Sequence, residues 1–429
     1  MKWSSFIFKV PVGDEYIIYN TLNAGLIVIN KDKYSSLSLS HDEMSHLVEN
    51  EYIYPDDYDE LSAYKSAFLK DWDNSHFLKI HVLVTTRCNF RCPYCYQAGI
   101  DGNTLSESVM DTMLVFLEKY IVQNSIDECD IEITGGEPTT NFDMVKLLLG
   151  RLDSIFQKYS VKYRTQIVTN GYLLTKEKID YLLSYNLARI QLTLDGLRDV
   201  HDKRRILANG QGSFTKIMEN VDYLLNETDF PILNLRINYD KSNAGDIAGL
   251  LMYLKERYGT EKIQLSLGLI TKTVGGSEAN SYISQFALEN DDFIHNYLKL
   301  YSLAYDMGFE MEDFFSFDGF CTAKLKHGFL IEPDGTLTKC VSGVGRGEFT
   351  VGNVKDGFDG TNYLLFEEYE HCLEKKCPFL PVCHAGCRFT SLVENGNLSS
   401  VYCRKAMLEK VNAEILKLKY GKYEPISMM

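Results

Sequence analysis

Three cysteines, Cys88, Cys92 and Cys95, lie in the run Thr-Arg-Cys-Asn-Phe-Arg-Cys-Pro-Tyr-Cys-Tyr-Gln at the spacing C-x3-C-x2-C. Three thiolates can hold three irons of a cubane iron–sulfur cluster and leave the fourth iron open. An open iron can coordinate a sulfonium compound and pass it one electron, so this spacing points to radical chemistry rather than plain electron carriage. Zinc fits less well, because a structural zinc takes four closed ligands and the residues that follow supply no fourth Cys or His.

The chain has 429 residues and eleven cysteines. No basic segment followed by an apolar core opens it, so a cytoplasmic location is expected, and there metal ligation is a better account of the cysteines than disulfides. Seven of them fall between 321 and 403; Cys129 stands apart in a strand-like run and reads as a packed thiol. A net charge of -15 argues against a nucleic-acid partner, and no apolar run approaches the ~18 residues of a membrane span.

The elements that must position these cysteines fall into three stretches. Residues 1–75 show short strands at 6–10, 16–19 and 25–29, a capping-box start Ser40-x-x-Glu43 for a helix to about Asn50, a returning strand at 52–55 and a helix at 60–69. This pattern suggests a winged-helix-like module. Residues 76–308 alternate strands (79–85, 130–134, 166–169, 189–194, 234–238, 264–267) with helices (145–156, 176–183, 215–225, 244–257, 291–306), the signature of parallel β/α units. A first helix places Val109, Met113, Phe116, Leu117 and Tyr120 on one face. Six units predict an α/β fold, a partial (β/α)6 TIM-like barrel with its active site at the C-terminal strand ends. From 309 to 429 glycine and cysteine rise, and metal rather than an apolar core is expected to organise the region.

The triad resembles the signature of radical S-adenosylmethionine (radical SAM) enzymes, with Tyr94 as the aromatic residue before the last cysteine. Further family motifs follow predicted strands. Gly135-Gly136-Glu137-Pro138 comes after the second, where the resemblance implies close backbone approach and a carboxylate facing the methionine amino group. Asn170 and Gly171 follow the third strand and Thr193 ends the fourth, near the ribose or carboxylate. In the run His201-Asp202-Lys203-Arg204-Arg205, the resemblance implies that Arg205 meets the methionine carboxylate. The implied chemistry is reductive cleavage of S-adenosylmethionine (AdoMet) to a 5′-deoxyadenosyl radical that takes a hydrogen from substrate.

The later cysteines resemble the SPASM domain, an iron–sulfur region that holds two auxiliary clusters in enzymes acting on peptides and proteins. Cys321, Gly335-x4-Cys340, Cys377-x5-Cys383-x3-Cys387 and Cys403 match its pattern. The family cysteine three residues before Cys377 is Glu374 here, and Cys372 stands two residues further upstream. The resemblance then implies an outer cluster on Cys372, Cys377, Cys383 and Cys403, and an inner one on Cys321, Cys340 and Cys387. A further upstream ligand seen in some members would fall near Phe315. With three obvious ligands, either another side chain completes the inner cluster or one iron is open to a substrate thiolate.

The expected function is maturation of a ribosomally made peptide by a thioether or carbon–carbon crosslink, with three [4Fe-4S] clusters, AdoMet, a precursor peptide whose leader the first 75 residues grip, and a flavodoxin or ferredoxin as reductant. Two alternatives stand beside it. A formylglycine-generating, sulfatase-maturing type resembles the C-terminal region but carries an Asp after the G-x4-C cysteine, where this chain has Val341. A non-catalytic iron–sulfur electron carrier would leave the Gly135–Pro138 loop and Arg205 without purpose.

Overall fold

The computed structural model describes residues 1–272, 277–288, 290–312, 321–360 and 366–421. The chain falls into two compact units, one of Ser75–Glu312 with Phe320–Leu364 and one of Met1–Asn74 with Leu365–Met429.

The first unit is built on six consecutive parallel strands, β1 (Phe77–Thr85), β2 (Glu128–Gly135), β3 (Lys162–Thr169), β4 (Leu187–Thr193), β5 (Leu233–Tyr239) and β6 (Ile263–Leu269). Helices Glu107–Gln123, Phe142–Tyr159, Lys176–Leu183, Phe214–Asn226 and Ile247–Tyr258 lie between them. One set of alternate strand residues is apolar and buried, including Ile80, Val82, Ile131, Ile133, Ile167, Ile190, Leu192, Leu235 and Ile237.

The other set is largely polar, with Leu83 and Val168 among its apolar members. Register places His81 beside Glu132, Glu132 beside Gln166, and Gln166 beside Arg189. Gln191, Asn234 and Gln264 form a second row, and Thr193, Arg236 and Ser266 a third at the C-terminal ends. Closed parallel barrels fill this face with branched apolar side chains. A face this polar must instead meet hydrogen-bond partners, so it suits water or a ligand.

The sheet runs beyond the six strands. Glu310–Met311 adds in parallel to β6; on the other edge Gly328–Ile331 adds in parallel to β1, followed by antiparallel strands Thr336–Thr338, Thr350–Asn353 and Gly357–Phe358. Here the expectation that metal alone organises the residues after 309 fails. Phe329, Leu330, Ile331 and Leu337 are fully buried and continue the main core. They also correct the face of helix Glu107–Gln123, which buries Met110, Met113, Leu114, Leu117 and Ile121. Phe116 and Tyr120 lie to one side, against Phe329 and Phe358.

The second unit joins both ends of the sequence. Ile7–Val12, Glu15–Asn20 and Leu26–Asn30 form an antiparallel three-stranded sheet. Ser40 caps helix His41–Glu49 with the reciprocal box, its hydroxyl accepting from the Glu43 N–H while the Glu43 carboxylate accepts from the Ser40 N–H. One sheet face packs Ile18, Ile27 and Ile29 against Leu47, Tyr52 and Ile53. The opposite face packs Phe8, Val10, Ile17 and Tyr19 against Phe379, Val382, Leu408 and Leu416. Phe6 and Tyr64 meet Tyr369, and the Thr21 hydroxyl donates to the Pro378 carbonyl. The N-terminal strands and the Cys372–Cys403 region therefore share one core. Among the described residues no helix is long and apolar enough to cross a membrane.

Candidate cofactor site

The triad loop leaves the end of β1 and is held on two sides. On the first, the Gly136 N–H donates to the Thr85 carbonyl and the Glu137 N–H to the Arg87 carbonyl, both at 2.9 Å. That approach requires glycine: a Cβ on Gly135 would stand 2.2 Å from the Thr85 oxygen, and one on Gly136 2.4 Å from the Arg87 oxygen. Gly136→Ala is therefore expected to push the loop off β2 and lower iron bound at the triad several-fold with the secondary structure retained. Iron analysis beside far-ultraviolet circular dichroism checks this, and full iron loading would refute it.

On the second side, the Arg91 N–H donates to the Ile206 carbonyl at 2.7 Å and the Ala208 N–H to the Asn89 carbonyl at 2.8 Å. These bonds bring Arg205 to the cysteines. It is buried, its Nη1 donates to the Tyr94 hydroxyl at 3.3 Å, and it lies over the Phe90 ring. Burial works against its charge, but Cys92, Tyr94 and Asp195 outweigh burial and raise its pKa. Tyr94, pushed up chiefly by burial and then by the Asp195 charge, keeps its proton and donates it to Asp195. Burial pushes the Cys88 thiol up to about 11 and the Cys92 thiol up to about 12, so bonds to iron are what would hold these sulfurs as thiolates.

Glu137 lies just past the end of β2. It is fully buried; Oε1 accepts from the Thr139 N–H at 3.0 Å and the Thr169 hydroxyl at 2.7 Å, and Oε2 from the Asn170 N–H at 2.6 Å. With four protein donors, counting the Thr139 hydroxyl, its carboxylate ties the end of β2 to the end of β3. Asn170, fixed by that tie, donates to the Asn89 side-chain oxygen at 2.8 Å and lies 3.9 Å from the Cys88 sulfur. Thr193 is buried at the end of β4, paired in register with Arg236.

Three residues that sequence reasoning passed over complete this corner. Asp195 is fully buried and accepts from Tyr94 and from Arg204 Nε at 3.2 Å. Arg204 lies over the Tyr94 ring, with Nη1 2.9 Å from both Asp240 oxygens. His201, held neutral by burial and by both arginines, accepts the Asp195 N–H on Nδ1 and is left with an Nε2 proton for Ser213. The signal was present in Thr-Leu-Asp-Gly, a carboxylate just past an apolar strand end, and in two adjacent arginines that need separate partners.

Three buried polar atoms at the triad lack a partner among the described residues: Asn89 Nδ2, Asp195 Oδ1 and Arg205 Nε. Unpaired buried groups are costly, so their gathering beside three thiols fits a charged group bound there. Among the described residues no three Cys, His, Asp or Glu side chains are grouped to hold a single metal ion. A cubane gives each thiolate its own iron and needs no such convergence.

The remaining cysteines divide between the units. Cys372, Cys377, Cys383 and Cys403 all lie in the second; burial pushes Cys372 up to about 11, and the charges of the other three add to the rise. Cys321 and the buried Cys340 lie in the first, whereas Cys387, at the start of helix Arg388–Asn395, lies in the second. Phe315 is outside the described residues. Val341 packs against Leu83, Leu330 and Val344 in an apolar cluster. Cys129 is fully buried in β2.

Residues 82–266 match the Radical SAM superfamily. A cysteine-type anaerobic sulfatase-maturating enzyme of Clostridium novyi is 24% identical over 373 residues, covering 78% of this chain and 94% of that protein. The solved structure of anSMEcpe with bound AdoMet covers 80% of this chain and 98% of its own, with TM-score 0.61 and 18% identity. Streptococcus suis SuiB bound to S-adenosylmethionine covers 94% of this chain and 99% of its own, with TM-score 0.56 and 17% identity. Given the triad, the glycine loop and this match, the chain carries a radical SAM domain over residues 82–266.

Proposed function

We propose that this chain is a radical SAM maturase that forms a thioether or carbon–carbon crosslink in a ribosomally made precursor peptide. The observation that carries this reading is the polar sheet face that ends beside the triad and Arg205, an environment suited to the amides of a peptide segment. A [4Fe-4S] cluster on Cys88, Cys92 and Cys95 with AdoMet would supply a 5′-deoxyadenosyl radical that removes one substrate hydrogen. Within that chemistry Arg205 would pair the methionine carboxylate, Tyr94 and Asp195 would fix the Arg205 guanidinium, and Glu137 with Asn170 would hold the strand ends that close the site. Cys372, Cys377, Cys383 and Cys403 would hold an outer auxiliary cluster, and Cys321, Cys340 and Cys387 an inner one, three clusters in all. A flavodoxin or ferredoxin would supply the electron, and the N-terminal sheet unit would hold the leader.

Val341 favours this reading over formylglycine formation, because a valine packed among Leu83, Leu330 and Val344 cannot take a proton. SuiB, a structural neighbour solved also with its precursor peptide SuiA, supports a peptide as the substrate. Anaerobic reduction with AdoMet and a Cys- or aromatic-containing candidate peptide tests the reading by mass spectrometry. Loss of two hydrogens from the peptide supports a crosslink; no 5′-deoxyadenosine, or conversion of a cysteine to formylglycine, overturns it. Arg205→Gln is expected to weaken AdoMet binding by at least ~10-fold, about 1.4 kcal/mol, by titration of the cluster-loaded protein.

A further inference from the structure

Most charges on the polar sheet face are paired. Arg164 meets Asp130 at 2.8 Å, His81 meets Glu132 at 2.9 Å and Arg189 meets Glu312 at 3.6 Å. Three cations of this face have no carboxylate partner among the described residues: Lys79, near the start of β1, the exposed Lys162 at the start of β3, and Arg236, near the end of β5. Arg236 is at the chemically active level, paired in register with Thr193 and Ser266. Its environment includes Glu312 and Asp195, whose charges oppose the lowering of its pKa by burial.

The guanidinium is held in a fixed pose. Nε donates to the Asn238 side-chain oxygen at 2.9 Å, and among the described residues no acceptor meets either terminal nitrogen. Beneath it lies Gly268, where a Cβ would stand 2.6 Å from Nε and Nη2 of Arg236 and 2.4 Å from the Asn238 oxygen. A glycine cradle and an oriented Nε leave the two-nitrogen end of the fork for an incoming planar anion.

We infer that Arg236 is a specificity-determining residue that receives a carboxylate of the substrate, either an acidic side chain or a C-terminal carboxylate. The inference rests on the peptide-maturase reading, in which Arg205 already accounts for the carboxylate of AdoMet. A half-buried cation with no carboxylate in salt-bridge reach among the described residues favours a ligand that brings one, and discriminates against a neutral amide of the same shape.

The test uses the cluster-loaded, AdoMet-bound protein and three capped pentapeptides: Ac-Ala-Ala-Glu-Ala-Ala-NH2, its Gln counterpart, and the Gln peptide with a free C-terminal carboxylate. Affinities are read by ligand-observed NMR. At least one acidic peptide is expected to bind ~10-fold or more tighter than the neutral one. Preference for the Glu peptide assigns the site to a side chain, and preference for the free acid assigns it to a chain end. R236Q is expected to erase the preference, R236K to keep part of it, and G268A to erase it with the charge retained. AdoMet affinity in R236Q should change less than ~3-fold. Equal binding of all three peptides, a preference that survives R236Q, or a ~10-fold loss of AdoMet affinity in R236Q would each overturn the inference. None of these readouts needs turnover, so failure here is separate from failure of the crosslinking assay.

Discussion

Cys92→Ala is expected to abolish formation of 5′-deoxyadenosine from AdoMet and to remove about four irons per chain, one cubane's content. The effect should be all or nothing because the triad has no spare ligand. The loop backbone is fixed by hydrogen bonds that involve Gly136, Glu137, Ile206 and Asn89, so it cannot swing to recruit a thiol from elsewhere. Iron and sulfide analysis with chromatography of the reduced reaction measures both quantities. Cys129→Ala provides the contrast, since that thiol is sealed inside β2 and its removal should leave the iron content unchanged. Retained AdoMet cleavage in Cys92→Ala would remove the triad from the reaction.

Deleting residues 1–74 is expected to cost the outer thiol site as well as any grip on a leader. A detachable module would leave the four cysteines of that site intact, but here the sheet and the cysteine segment are one core. Phe379, between Cys377 and Cys383, is fully buried with its ring 4.9 Å from that of Phe8. Cys372, Cys377 and Cys383 themselves pack at the edges of the shared clusters. Phe379→Ala alone should destabilise this unit by about 3–5 kcal/mol, the usual cost of emptying a buried phenylalanine site. Both variants should show lower iron content and an earlier thermal transition than the parent protein. A deletion protein with its full iron content would show that the N-terminal strands are dispensable to the thiol site.

Local regularity decided what could be read from the residues. The six parallel strands and the helix Lys176–Leu183 repeat apolar residues at short, fixed intervals, and Ser40 and Glu43 mark a helix start within four positions. The polar rows were latent in the same strands, as in Asn234, Arg236 and Asn238 alternating with Leu235 and Ile237. Other features had no local trace. Gly328–Ile331 is a four-residue strand among glycines and cysteines, recognisable only by its pairing with β1. Asp195 becomes a site residue only because Arg204 and Tyr94 converge on it from other elements. Glu137 stood out through its glycine motif, but the four donors that make it a tie come from two strand ends and leave no mark in the motif itself.

The core that joins the N-terminal sheet to the Phe379 segment also sets a timetable for biosynthesis. Thr21 and Pro378, hydrogen-bonded in the finished protein, are 357 positions apart. At ~5–20 residues per second the ribosome takes roughly 20–70 s to travel from one to the other. Throughout that interval the Phe8, Val10, Ile17 and Tyr19 face has no partner, while the radical SAM domain between them can already be folding. The sheet made first is thus enclosed last, it is the natural client for a chaperone on the nascent chain, and the four thiols around Phe379 can take up iron in their final setting only near the end of translation.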